Sequence, residues 1–153
     1  MVEVIKGDLL SADADAICHQ VNCRGVMGAG IAKAIADKFP VAKIRYSCFC
    51  EEAADPYELL GQIHVVRQYP YPFDIVNVFG QLNYGRSKGV TYTDYDALER
   101  AFRKINGMYG AAHQTVAFPW GFGCGLAGGD WTVVMNLMLE CLPDCNVKIY
   151  MKR

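Results

Sequence analysis

Apolar and polar positions along this chain switch repeatedly between the two-residue period of strands and the wider period of helices. Val2 to Ile5 reads as a short strand ended by Gly7-Asp8, and Ala14 to Val21 as a second, largely apolar one. A glycine-rich turn, NCRGVMGAG, leads into a helix predicted over Ala29 to Phe39. There Ile31, Ile35 and Phe39 repeat at four-residue spacing, and Lys33 and Asp37 share the opposite face. Pro40 breaks that helix, and a second is predicted from Val41 to about Glu52. Strands are expected at Gln62–Arg67 and Ile75–Phe79. The clearest helical stripe follows: Tyr95, Leu98, Phe102, Ile105 and Tyr109, with Thr93 or Asp94 as N-cap. Thr115 to Phe118 is a short strand ending in Pro119. A second glycine-rich loop, WGFGCGLAGG, opens a helix from Trp131 to about Leu142, whose expected buried face is Val134, Leu137, Met138 and Cys141. Val147 to Met151 is the last strand.

Strands alternating with helices predict an α/β domain built as a three-layer α/β/α sandwich. With no repeat, linker or low-complexity tract, residues 1–153 are expected to form a single domain with nothing appended.

The two glycine-rich loops carry the first hint of chemistry. Asn22 to Gly30 follows one apolar strand and Gly121 to Gly129 another, and each opens a helix. Glycines let backbone amides approach an anion, and a helix N-terminus adds a favourable field. Either loop alone could be an ordinary tight turn. Two such loops after two parallel strands would flank one crevice at the carboxyl edge of a sheet and suit a diphosphate. The first loop lacks G-x-G-x-x-G spacing and the lysine-hydroxyl ending of a P-loop. An unrelated nucleotide-binding fold would need an acidic ribose clamp about 20 residues further on. Glu51 and Glu52 lie near that distance, but in a helix-like stretch.

Composition narrows the partners. The formal net charge of −1 argues against a protein devoted to nucleic acid, which needs a basic stripe. It leaves a small phosphate-bearing ligand open, because amides bind anions without net charge. Seven scattered cysteines, with no matched pairs at zinc spacing, suggest reduced thiols and a cytoplasmic location, with no metal and no cofactor expected. No signal peptide or membrane span is expected either.

Three segments, KGDLLS, AICHQVNCRGVMGAGIAKAI and FPWGFGCGLAGGDW, resemble the ligand-binding segments of macrodomains, ADP-ribose-binding modules with a mixed central sheet. The middle segment is similar to the branch of yeast-type ADP-ribose 1''-phosphate phosphatases and terminal ADP-ribose glycohydrolases. The resemblance implies that Asp8, with the amide of Leu9, holds adenine, and that Asn22 bonds the terminal ribose. It implies that Gly28, Ala29, Gly30 and Ile31 offer amides to ribose and phosphate. Gly121, Phe122, Gly123, Cys124, Gly125 and Leu126 would wrap the diphosphate. The implied partner is ADP-ribose or an ADP-ribosylated protein. The implied activity is hydrolysis at the terminal ribose, with a non-catalytic reader as the alternative.

The chain departs from its relatives where they keep catalytic groups. Ile31-Ala32 replaces an aspartate after the glycine run, Gln81 stands where a nucleophilic lysine is found, and Ala127 replaces an aspartate after G-C-G-L. A lysyl adduct is therefore not expected. His19, Asn22 and Asp130 remain as catalytic candidates. His19 could exchange a proton at the terminal ribose, or be buried under the sheet and satisfied by a backbone group. Asp130 could reach the ribose, or cap the last helix. The Cys124 thiol could be a nucleophile, but packing is the reading preferred. Tyr84 sits in a loop able to cover a cleft, Trp120 and Trp131 suit a core or cleft wall, and His64 and His113 are expected to be structural or exposed.

Overall fold

The structure, a computed structural model, describes residues 1–153. Its strands are β1 (Val2–Lys6), β2 (Ala16–Asn22), β3 (Ile63–Arg67), β4 (Asp74–Gln81), β5 (Thr115–Pro119) and β6 (Asn146–Met151). Its helices are α1 (Gly30–Lys38), α2 (Pro40–Glu52), α3 (Tyr95–Tyr109) and α4 (Trp131–Cys141). The strands form one sheet in the order β1-β6-β5-β2-β4-β3. All neighbours are parallel except β3 and β4, so the sheet is mixed. The β3–β4 connection, residues 68–73, is far too short for a parallel crossover, and antiparallel pairing follows.

Strand parity divides the core into two layers. On β2, Ala16 and Cys18 face α3 and α4 and pack with Leu98, Phe102, Val134 and Met138. Ile17 and Val21 face the other way, toward Ile35 of α1 and Tyr46 of α2. The stripe predicted for α3 holds: Leu98, Phe102 and Ile105 are fully buried, and the Asp94 side chain caps the helix by accepting from the Ala97 amide at 3.0 Å.

Two expectations about apolar faces need correction. Ile31 does not join Ile35 and Phe39 in the core; it is 38% exposed and lines a cavity at the sheet edge. In α4, Leu137 is only partly buried against the core formed by Val134, Met138 and Cys141. Short 3₁₀ turns at Leu9–Ser11 and Pro56–Glu58 carry no three-turn periodicity and are absent from the sequence-based expectation. No helix is long and apolar enough to cross a membrane.

Candidate functional site

β2 and β5 are adjacent and parallel, so the glycine loops that follow them stand side by side at the carboxyl edge. Two cavities, of ≈ 260 Å³ and ≈ 310 Å³, open there and share Gln20, Ala29, Ala32, Gln81, Leu126 and Ala127. They form one continuous cleft of the size of a small-molecule site. No aspartate or glutamate lines it, and the one charged side chain on its wall is Arg86.

Loop one is built around Asn22. Its Oδ1 accepts from the amides of Arg24 (2.9 Å) and Val26 (3.3 Å), and its Nδ2 donates to the Val26 carbonyl at 2.8 Å. The buried Tyr46 hydroxyl lies 2.5 Å from the Asn22 carbonyl and 3.1 Å from Oδ1, sharing one proton between them. Asn22 therefore spends most of its amide on shaping the loop, and one Nδ2 proton is left for a ribose. The loop delivers the chain to α1, whose N-cap, Ala29, offers no side chain to the first turn. By contrast α3 and α4 are capped by Asp94 and Asp130, and α2 opens on Pro40. The open N–H groups of α1 line the cleft as a ready anion site.

Loop two is anchored from below. Phe122 is 2% exposed and packs edge-on against Phe118 (5.5 Å) and tilted against Phe102 (5.7 Å). Gly121, Gly123 and Gly128 adopt left-handed φ values of 75°, 73° and 74°, which only glycine takes without strain. The amides of Phe122 and Cys124 donate to the carbonyls of Pro119 and Gly121 within the loop, and Phe122 lines the larger cavity. Gly123, Gly125 and Leu126 line the cleft. The Cys124 thiol donates to the Phe122 carbonyl, and burial pushes its pKa up to about 11, so it is no nucleophile at neutral pH.

Beneath the loops, β2 and β4 contribute two polar pairs. Gln20 Nε2 donates to Gln81 Oε1 (2.8 Å) and to Thr93 Oγ1 (3.0 Å), and Thr93 donates to the Gly123 carbonyl at 2.6 Å. On the opposite face His19 Nε2 donates to Asn77 Oδ1 at 2.6 Å, and Asn77 Nδ2 donates to His64 Nδ1 at 3.2 Å. His19 is 1% exposed, its Nδ1 has no protein partner, and the residue lines the larger cavity. Its partner is thus the Asn77 side chain, not the backbone group that the buried reading supposed. Burial pushes its pKa from 6.5 down to about 4, against a smaller upward pull from Asn77. At neutral pH the ring is uncharged, with a lone pair on Nδ1.

That depression predicts an acid sensitivity. The folded-state pKa lies below the unfolded value, so the neutral ring stabilises the fold fully above pH 6.5. The contribution fades as pH falls toward about 4. Its ceiling is ~3 kcal/mol. His64 is shifted the same way, by burial and then by Arg45. Urea unfolding at pH 7 and pH 4 should show wild type losing ~3 kcal/mol more than His19→Gln, an amide still able to donate to Asn77. Equal losses would contradict the buried neutral ring.

The remaining expected site residues lie at the margins. Asp130 is the α4 cap, its Oδ1 accepting from the Thr132 amide at 2.9 Å, and it lines neither cavity. Asp8 caps the first 3₁₀ turn through Leu10 (3.0 Å), stays exposed with its second oxygen free, and also lies outside both cavities; Leu9 is buried. Trp120 is a cleft wall, tilted against Trp131 with ring centroids 5.0 Å apart, and Tyr84 lines the smaller cavity. Gln20, Ala32 and Arg86 are cleft residues that sequence reasoning missed. Gln20 had a signal, being polar in an apolar strand.

The Macro domain family model matches residues 18–138, most of the chain and the whole of this cleft. The chain belongs to the macrodomain family. A DNA ADP-ribosyl glycohydrolase of Mycobacterium tuberculosis is 30% identical over 98% of the chain, and the chain spans only 42% of that protein's length. An ADP-ribose 1''-phosphate phosphatase of Scheffersomyces stipitis is 41% identical over 43% of the chain and 42% of its own length. The solved macrodomain of Mycobacterium tuberculosis DarG superposes with a TM-score of 0.79 at 27% identity, covering 98% of this chain and 97% of that one. This macrodomain thus has the three-layer fold with the mixed sheet expected of its sequence.

Proposed function

We propose that this macrodomain binds ADP-ribose along the cleft and hydrolytically removes the phosphoryl or acyl group carried on the C1'' oxygen of the terminal ribose. Its substrate is ADP-ribose 1''-phosphate or an ADP-ribosyl ester on a protein, met in the cytoplasm, where its seven free cysteines stay reduced. One observation carries the reading. A Cβ added to Gly28 or Gly125 would meet at most an ordinary contact, neither residue has a left-handed φ, and both line the cleft. Nothing in the fold requires glycine at those two positions, whereas a ligand backbone pressed against them does. The uncapped α1 amides beside them favour a diphosphate. The phosphatase and glycohydrolase names of the relatives support hydrolysis.

In that reaction water adds its oxygen to the phosphorus or acyl carbon. The ribose oxygen leaves with a proton, and phosphate or a carboxylate is released. With no carboxylate in the cleft, catalysis rests on positioning. A ring with a pKa of about 4 is a weak base, so His19 contributes its Nδ1 as an acceptor that orients water or a hydroxyl. Gln81 and Ala127, standing where glycohydrolases keep lysine and aspartate, favour the rival reading of a reader without turnover.

Calorimetry with ADP-ribose should give a micromolar Kd, about −8 kcal/mol. Turnover should be followed with ADP-ribose 1''-phosphate, an ester-linked ADP-ribosyl protein and an ADP-ribosylated oligonucleotide. Activity on either of the first two supports the proposal. Binding without turnover leaves the reader, activity on the oligonucleotide alone overturns the substrate class, and no binding at millimolar ligand removes the reading. Unchanged turnover in His19→Gln takes His19 out of the chemistry.

A further inference from the structure

The smaller cavity holds Asn22, Gln81, Tyr84 and Arg86, and none of the glycines of loop two line it. The loop-two glycines therefore line only the larger cavity, and a cationic group, a guanidinium, stands in the smaller one. Arg86 is exposed, and the five ion pairs of the molecule lie elsewhere. No carboxylate lies in the sequence between Asp74 and Asp94, so its own loop offers Arg86 no partner. The base of that loop is nevertheless held in place. Gln81 Nε2 donates to the Asn83 carbonyl at 2.7 Å, and Arg24 Nε donates to Asn83 Oδ1 at 2.9 Å. Tyr84 and Arg86 thus stand over the cavity on a tethered stem, with nothing in the protein itself for the guanidinium to bind.

We propose that Arg86 is a specificity-determining residue that pairs with a phosphomonoester carried at C1'' of the terminal ribose. This rests on the reading of the cleft as an ADP-ribose site. The planar fork of arginine matches a phosphate through two parallel hydrogen bonds, and the absence of neighbouring carboxylates leaves its charge undiminished. The diphosphate, held by the backbone amides of the two loops along the cleft, does not depend on it.

The test compares ADP-ribose with an uncleavable analogue, ADP-ribose 1''-phosphonate, in which a methylene replaces the bridging oxygen. Calorimetry is run on wild type, Arg86→Ala, Arg86→Lys and, as a control for general surface charge, Lys88→Ala. Wild type should bind the phosphonate more tightly than ADP-ribose. Arg86→Ala should weaken phosphonate binding roughly 10- to 100-fold and leave ADP-ribose within about two-fold, with Arg86→Lys between and Lys88→Ala near wild type. Equal losses for both ligands would place Arg86 on the diphosphate, and no loss would leave it a bystander; either overturns this proposal while the ADP-ribose reading stands. Wild type that binds neither ligand overturns both.

Discussion

Gly125→Val is expected to abolish ADP-ribose binding and leave the protein fully folded. A Cβ at position 125 meets no atom within 4 Å, and the backbone there lies outside the left-handed region. The added isopropyl group therefore costs the apo fold less than about 0.5 kcal/mol, as for other unstrained surface positions. It would, however, fill cleft volume beside the amides of Gly123 and Leu126. A micromolar ligand should weaken by more than about 100-fold, out of the calorimetric range. Other glycines of the loop cannot serve as this probe. At Gly123 a Cβ would sit 2.9 Å from Gln20 Oε1 on a φ of +73°, and at Gly128 it would sit 2.7 Å from the Val90 carbonyl. Those replacements damage the loop itself, so lost binding would say nothing about the ligand. A folded Gly125→Val variant that binds like wild type would make loop two an ordinary turn.

What the sequence exposes and what it hides follow from which forces are local. The α3 stripe and the Asp94 cap are set within a few residues, so periodicity and capping chemistry reveal them. Both glycine loops were legible for the same reason, and their adjacency follows once β2 and β5 pair. Ile31 was misplaced because spacing fixes only that residues share a side of a helix. It does not say where that side runs off the core, and the first turn of α1 overhangs the cleft. The direction of His19 became readable only through its neighbours. Ile17 and Val21 face α1 and α2, so His19 does too, and its partner Asn77 lies 58 residues away. Arg86 left no local signature, because an unpaired cation in a loop is ordinary until the loop is placed over a cavity. Asp8 and Asp130 have a local role that their motifs alone do not separate from ligand binding. Each follows a motif associated with ligand binding, yet each carboxylate caps the turn or helix behind it.

Asn22→Ala should lower both stability and affinity, which separates a loop-shaping residue from a mere ligand contact. The truncation strands the Arg24 and Val26 amides and the Val26 carbonyl. Arg24 and Val26 are exposed enough for water to replace part of the loss, so the cost should be about 2–3 kcal/mol rather than the full penalty for three buried groups. For a domain of this size that corresponds to a fall in Tm of roughly 5–10 °C. Affinity for ADP-ribose should drop about 30- to 100-fold, because the amides from Gly28 to Ile31 are no longer held in the binding arrangement. Tyr46→Phe tests the same brace from behind. It removes the hydroxyl that reaches the Asn22 carbonyl and Oδ1 without touching the cleft, since Tyr46 is fully buried and lines neither cavity. It should cost affinity roughly ten-fold, in proportion to one lost hydrogen bond. Were Asn22 simply a ribose contact, Asn22→Ala would bind weakly at an unchanged Tm and Tyr46→Phe would bind like wild type. Thermal melts and calorimetry on the two variants decide between these patterns, and that second pattern would return Asn22 to the role that the family resemblance alone assigns it.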